Sequence, residues 1–340
     1  MKEPDTKSKT AAPRKRSNPW TLRVVVILIF WVLIYFFVAG PGRVLFPSLL
    51  ISYKSVSDNK NTVYYYGDRI EKALDILWIA SVTQDSIERF WGDTVGQVFQ
   101  RGVTIFLCES PSQYLHLTWN KSIASAIMGR IVLNEPRISK TMSLYSAMVH
   151  EMSRLYVVRK QGYLPAVLLY PKWFDEGCAV LMQDYSAPED KLEENLWQDP
   201  TLVSVTSLTH PWQWQAMTRM QNGRMAARGY GQVCLLTRYL IDRFGKEKLQ
   251  EFESTLGWNL APGRSFERVY QLPLAQVESE WLQTLVESQE APPETAFVPL
   301  PFDFLVFLRW LAMGIVIVVP LTLLIRWLIR LLSRVWKRTS

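Results

Sequence analysis

The chain has 340 residues, and 49% of them are apolar, which is enough for one large domain or two smaller ones with a packed core. Its formal net charge is +7, yet residues 1–23 hold seven basic and two acidic residues, and residues 301–340 hold six and one. The residues between them carry 25 basic and 28 acidic side chains. This distribution argues against a nucleic-acid-binding domain, because the basic excess belongs to the two ends.

Two apolar runs predict transmembrane helices at 23–40 and 304–325. The first has no charged residue from Val24 to Val38, and the second contains only Arg309, near one end. The alternatives are a cleavable signal peptide for the first run and a buried helix for the second.

The charge of the flanking segments predicts the topology. Residues 1–22 form a basic tail that we expect to be disordered, and residues 326–340 form a second basic tail. Both termini are therefore predicted to be cytoplasmic in a two-pass protein of the cytoplasmic (inner) membrane. Between the spans lie a connector at 41–60, an extracytoplasmic domain at 61–290 and a Pro-rich linker at 291–303.

Within the central domain, hydrophobic periodicity predicts an α+β fold that is mainly helical with a small sheet. The first helix carries apolar residues at helical spacing, among them Ile70, Ala73, Leu74, Leu77 and Ala80. The predicted strands are 62–66, 103–108 and 129–134, and the predicted helices are 68–91, 143–160, 171–183, 229–244, 246–256 and 274–290.

Two loop features complete the predicted elements. Ser139 or Thr141 is placed to cap the start of the helix that follows, and residues 162–170 are predicted to form a loop.

The three cysteines match no metal-ligand spacing. They are interpreted as small buried side chains, with a disulfide between Cys178 and Cys234 as the alternative.

The segment VHEMSRLY is close to the zinc-binding pattern His-Glu-x-x-His, in which two imidazoles one helical turn apart hold a metal. Here His150 and Glu151 are followed by Arg154 at the position of the second histidine. About twenty residues later the segment PKWFDEGCAVLM places Glu176 on another predicted helix. Helical periodicity places His150, Glu151 and Arg154 on one side of their helix.

These two segments together resemble the gluzincin metallopeptidases, specifically their peptidase-MA-like (zincin) domains. The resemblance extends from about residue 60 to about residue 286. It implies that His150 is the first zinc ligand, Glu151 the general base and Glu176 the third ligand. Tyr230 resembles a recurrent tyrosine of the family that polarises a substrate carbonyl, and helix packing is the alternative role for it.

Arg154 departs from the family pattern and leaves the zinc site incomplete. A guanidinium group stays protonated and has no lone pair to donate to a metal. His210 is a possible substitute ligand, and His116 a weaker one. The alternative is a buried ion cluster, in which Arg154 neutralises Glu151 and Glu176 in place of the metal.

The predicted function is a degenerate, zinc-deficient metallopeptidase fold that binds peptide or protein in its cleft. Strand 129–134 is the predicted docking edge, where an extended chain adds as a further strand. No cofactor is expected, and no nucleic acid partner; the membrane is a predicted partner through the two anchoring helices. The alternatives are an active zinc-dependent metallopeptidase with a substitute third ligand, and a scaffold for membrane assembly.

Overall fold

Eleven α-helices and seven strands among the described residues form an α+β fold, mainly helical with a small mixed sheet, as the sequence predicts. The structure is a computed structural model that describes residues 41–47, 52–186, 201–220, 224–287, 296–298, 300 and 304. The strands are β1 (Lys54–Ser57), β2 (Thr62–Tyr65), β3 (Thr104–Cys108), β4 (Ala124–Ile127), β5 (Arg130–Asn134), β6 (Thr201–Val203) and β7 (Ala296–Val298). The helices are α1 (Ile70–Trp91), α2 (Pro111–Thr118), α3 (Glu135–Thr141), α4 (Leu144–Gln161), α5 (Tyr163–Leu168), α6 (Lys172–Ser186), α7 (Pro211–Arg219), α8 (Arg224–Phe244), α9 (Lys246–Ser254), α10 (Pro262–Tyr270) and α11 (Leu274–Glu287).

The main sheet has five strands in the order β1-β2-β3-β5-β4. Strands β2, β3 and β5 are parallel, and β1 and β4 pair antiparallel at the two edges. The predicted docking edge, strand 129–134, corresponds to β5 and is an inner strand paired on both sides. That prediction is wrong: the edge on this side of the sheet is β4.

A tight hairpin explains why β4 was missed. Ile127 pairs with Arg130, so the connection consists of Met128 and Gly129 alone, and both have positive φ (50° and 73°). Two central residues with positive φ are typical of the two-residue turns that join twisted antiparallel strands. With only four residues and no strong β-forming sequence before the turn, β4 leaves little periodic signal.

Helices cover both faces of the sheet. The larger core lies between the sheet and helices that include α1, α4 and α6, and a smaller cluster lies under α2. The smaller cluster includes Phe106, Cys108 and Val132 from the strands and Tyr114 and Leu117 from α2. Cys108, Cys178 and Cys234 are buried and not joined by disulfides, which agrees with their interpretation as small packed side chains.

The start of α4 differs from the predicted capping. Ser143 is the N-cap, and its hydroxyl accepts a hydrogen bond from the Ser146 N–H at 3.0 Å. Ser139 and Thr141 lie in the preceding helix α3, where their hydroxyls donate to backbone carbonyls one turn earlier. The predicted loop at 162–170 likewise contains the short helix α5.

The segments around the predicted domain also contribute regular structure. The connector at 41–60 contains a 3₁₀ helix at Pro41–Leu45 and the edge strand β1. Within the predicted linker at 291–303, β7 pairs in parallel with β6. Strands β1 and β7 thus lie outside the predicted domain at 61–290 and pair with strands inside it.

The described structure contradicts the prediction of two flanking transmembrane helices and of a two-pass location in the cytoplasmic membrane. No helix among the described residues is long and apolar enough to cross a bilayer. The longest of them, α1, has 22 residues but includes both acidic and basic side chains. Apart from Phe304, the predicted spans at 23–40 and 304–325 lie outside the described residues, as do the predicted tails at 1–22 and 326–340.

Helix α11 is held to the rest of the fold by a buried carboxylate. Glu278 is 2% exposed and accepts hydrogen bonds from the Val205 N–H at 2.6 Å and the Ser204 hydroxyl at 2.8 Å. Burial raises the pKa of Glu278 to about 7, because these two hydrogen bonds to the charged form only partly offset the loss of hydration.

We expect this raised pKa to make stability depend on pH. The folded chain keeps the proton of Glu278 above the pKa of about 4.5 that the unfolded carboxyl has, so its contribution to stability is complete below that pH and is lost as the pH rises through about 7. Glu278→Gln removes the titration. The free energy of unfolding of the variant, measured by denaturant unfolding, should exceed that of wild type by about 2 to 3 kcal/mol at pH 8 and should not exceed it at pH 4. An equal difference at both pH values would contradict this account.

Candidate functional site

Helices α4 and α6 bring the two motif segments together. The approach of α6 to α8 depends on Gly177, because a Cβ atom there would lie 2.4 Å from Thr237 Oγ1 and 2.7 Å from the Val233 carbonyl oxygen. Only glycine permits such close helix packing. The glycine after Glu176 is thus explained by packing, and it fixes the helix that carries the acidic residues.

Arg154 lies among three buried carboxylates. Its Nη1 is 3.6 Å from Glu151 Oε2, one turn earlier on α4. Its Nε is 3.5 Å from Asp175 Oδ2 and 3.7 Å from Glu176 Oε1, both on α6. The prediction that Arg154 lies within salt-bridge distance of Glu151 or Glu176 is confirmed. The guanidinium is shared among three carboxylates and does not bind one of them bidentately.

Burial makes these charges depend on one another. The carboxylates of Glu151, Asp175 and Glu176 are at most 7% exposed. Burial opposes ionisation of Glu176, but Arg154 and then Lys172 outweigh it and hold the pKa of this carboxyl well below its usual range. Burial also disfavours the charged form of Arg154, and the carboxylates, Glu176 first, raise its pKa well above the usual value. Arg154 and Glu176 therefore each favour the charged form of the other.

Lys172 is a second cation at the site that the sequence analysis missed. Its Nζ lies 2.9 Å from Glu176 Oε1 and also pairs with the Asp175 carboxylate. The signal was present in the sequence, because Lys172 and Glu176 are four residues apart on one helix. With Arg154, the site has two cations against three carboxylates.

Glu151 connects the ion cluster to the edge strand β4. Its Oε2 accepts a hydrogen bond from the Ala126 backbone N–H at 2.5 Å. That N–H points away from β5, because Asn134 N–H bonds to the Ile123 carbonyl and the hydrogen-bonded pairs then alternate along the hairpin. The side chain at the predicted general-base position therefore occupies an edge donor of the sheet.

His150 and Tyr230 complete the cluster. His150 Nε2 lies 3.3 Å from Glu176 Oε2, so the predicted first and third zinc ligands do lie together. The Tyr230 ring packs edge-on against His150, with 6.1 Å between ring centroids, and against Trp214 at 5.1 Å. Burial, followed by the charge of Glu176, raises the pKa of Tyr230. These contacts favour the packing role for Tyr230.

The two histidines considered as substitute ligands lie elsewhere. His210 stacks on Trp212 at the start of α7 and lines a cavity of about 270 Å³ with Pro171 and Trp173. Burial lowers its pKa. His116 lies on α2, where its Nδ1 is 3.3 Å from the Ser112 carbonyl, and it lines a different cavity. The structure brings neither into the cluster around His150.

The side chains at this site do not match the donor set of a catalytic zinc. Such a zinc takes three protein ligands and a water molecule, whereas His150 and Glu176 supply two donors. Both Arg154 and Lys172 direct cationic nitrogens at Glu176 Oε1. Among the described residues, no group of three or more His, Cys, Asp or Glu side chains has an arrangement that could hold a metal ion.

Comparison of the chain with protein-family models and with curated proteins gives no match. The resemblance to gluzincin peptidases therefore stays a prediction that rests on the motif residues.

Replacing Arg154 should lower the stability of the domain, because buried carboxylates lose a counter-ion. In Arg154→Ala, Lys172 is the remaining cation against three carboxylates, and we expect the free energy of unfolding to fall by about 2 to 4 kcal/mol. Denaturant unfolding at pH 7 measures this change. Arg154→Lys keeps the charge and should recover most of it.

A double-mutant cycle separates this electrostatic effect from lost packing. Arg154→Ala combined with Glu151→Ala removes one charge of each sign. The double variant should therefore be more stable than the sum of the two single effects predicts, by about 1 kcal/mol or more. Strict additivity would show that Arg154 acts through its aliphatic packing alone.

Proposed function

We propose that the domain is a degenerate gluzincin-like peptidase that binds an extended peptide, or an extended segment of a protein, without hydrolysing it. The observation that supports this most is the position of Arg154. Its guanidinium stands where the family pattern requires a second histidine, and it pairs with the carboxylates that a zinc ion would otherwise neutralise.

The loss of hydrolysis follows from what a guanidinium provides. It supplies positive charge next to Glu151 and Glu176, and it lowers the pKa of the buried Glu176 carboxyl. It has no empty orbital to polarise a carbonyl oxygen or to acidify a bound water molecule. Lys172 adds a second charge of the same kind. The cluster thus preserves the electrostatics of the site without its Lewis acid.

The binding of an extended chain is proposed from the edge strand β4. Its outward-facing backbone positions are Ala124 and Ala126, which belong to the pairs that do not bond to β5. An added strand gains affinity from such unpaired backbone groups. Because Glu151 already accepts the Ala126 N–H, a bound strand has to displace this carboxylate or begin at Ala124.

Zinc binding gives the most direct test of degeneracy. We expect purified wild-type protein to retain no stoichiometric zinc, and Arg154→His to acquire it because the third donor is restored. Lys172→Gln added to Arg154→His should tighten zinc binding further, since it frees Glu176 Oε1. Metal analysis after dialysis measures all three proteins, and Arg159→His on the same helix is the matched control.

The alternative is an active zinc-dependent metallopeptidase with a substitute third ligand, and His210 could fill that role only by leaving its stack on Trp212 and moving to the cluster around His150. Stoichiometric zinc in the wild type that is lost in both Glu176→Gln and His210→Ala would support it. That result would contradict the proposal that the domain is a degenerate peptidase.

Peptide binding at β4 can be tested with a reduced, carboxymethylated protein that stays unfolded. We expect wild type to bind this probe without producing fragments. Ala124→Pro removes one outward N–H and leaves the bonds between β4 and β5 intact, so affinity should fall about tenfold, equivalent to one or two hydrogen bonds.

The control is Ala124→Ser, which keeps the N–H and should bind as wild type does. Thermal melting checks that both variants are folded. Unchanged binding by folded Ala124→Pro would exclude β4 as the docking edge. Fragments that disappear with a metal chelator would show that the domain is a peptidase.

A further inference from the structure

Helix α1 has an apolar outer face in addition to the face that it buries. The buried face packs on the sheet and on α4 through residues that include Ala73, Ile76, Leu77, Ala80 and Ile87. On the opposite face, four large apolar side chains are exposed to solvent: Ile70 (48%), Leu74 (49%), Trp78 (64%) and Val82 (38%). We call these four residues the α1 ridge.

The spacing of the α1 ridge matches the geometry of helix packing. Its members are four residues apart, so they form one continuous row about 18 Å long on the helix surface. Rows of this type are the ridges that fit into the grooves of a second helix when two helices cross. Single exposed apolar side chains are ordinary, whereas a continuous row marks an interaction surface.

The charges beside the α1 ridge restrict its partner. Glu71 and Asp75 flank one side, and Asp85 flanks the other, with Arg89 near the end of the helix. Lys72 does not offset them, because it pairs with Glu135 of α3. The surface is therefore apolar along its centre and mainly acidic at its margins, which favours a partner with basic margins.

The same charges disfavour a second copy of the chain. In a two-fold pair of α1 helices, each margin of the ridge faces a margin of the other copy, and Glu71, Asp75 and Asp85 give both copies the same acidic excess. Like charges at such margins weaken association.

We propose that the α1 ridge binds an amphipathic helix of a partner protein, with its apolar stripe seated on the ridge and with Lys or Arg on both sides of the stripe. Trp78 is the central anchor, since buried tryptophans carry a large share of the affinity in such contacts. This site is separate from the β4 edge, and it takes a helix rather than an extended chain.

The test uses the full-length chain and a designed helical peptide of about 18 residues, with leucines at the matching spacing and lysines at the margins. Fluorescence anisotropy should detect binding that Trp78→Ser weakens by about tenfold or more. Trp258→Ser is the matched control, because Trp258 is 71% exposed elsewhere and should be without effect.

A dependence of binding on the charge of the peptide distinguishes specific binding from non-specific hydrophobic association. A second peptide with glutamates in place of the lysines should bind about tenfold more weakly than the first. Changing Glu71, Asp75 and Asp85 together to lysine should reverse this preference. Equal binding of the two peptides, or unchanged binding by Trp78→Ser, would overturn the proposal.

A photo-crosslinking residue identifies the occupant of the ridge. Leu74→p-benzoylphenylalanine should form an adduct with the lysine-flanked peptide, as seen by mass spectrometry. Crosslinks between two copies of the chain would assign the ridge to self-association. Crosslinks within one chain that the peptide does not compete away would assign it to another segment of the same molecule. Either result would replace the proposal.

Discussion

Neutralisation of buried negative charge is the constraint on which the centre of this structure depends. Three carboxylates lie between α4 and α6, those of Glu151, Asp175 and Glu176. Each of them is almost completely buried. Unpaired carboxylates in that position would oppose helix packing by several kcal/mol. Arg154 and Lys172 supply the opposing charge from the same two helices, so the pairing of the motifs and the packing of the core depend on each other.

The ion cluster also reaches the sheet. Glu151 is in contact with Arg154 on its own helix and with the Ala126 backbone of β4. A change in the charge of the cluster should therefore alter the hydrogen bond between Glu151 and the Ala126 N–H, at the edge where an extended chain is proposed to bind. The Glu151 carboxylate thus has a structural partner on each side, Arg154 on its own helix and the Ala126 N–H on the sheet.

The two proposed surfaces of the domain differ in their chemistry. The β4 edge offers backbone hydrogen bonds, which suit the extended partner proposed for it. The α1 ridge offers exposed apolar side chains with acidic residues beside them, which suit the amphipathic helix proposed for it. Since α1 packs directly on α4, both surfaces are built on the same rigid core.

Sequence alone determined the features that depend on residue chemistry and on local spacing. The helical period brings His150, Glu151 and Arg154 to one sector, and the chemistry of guanidinium excludes Arg154 as a ligand wherever it lies. The need for a counter-ion near Glu176 followed from the same reasoning, and the structure confirms it.

Only the tertiary structure decided the features that depend on contacts between distant segments. The order of strands made β5 an inner strand and β4 the edge, because pairing partners far apart in sequence are not encoded by periodicity. The predicted apolar face of α1 included Leu74 and Leu77 together, yet Leu77 is buried and Leu74 is exposed. Periodicity identifies which residues share a face of the helix. The packing of the sheet and of α4 against the helix decides which of these residues are buried.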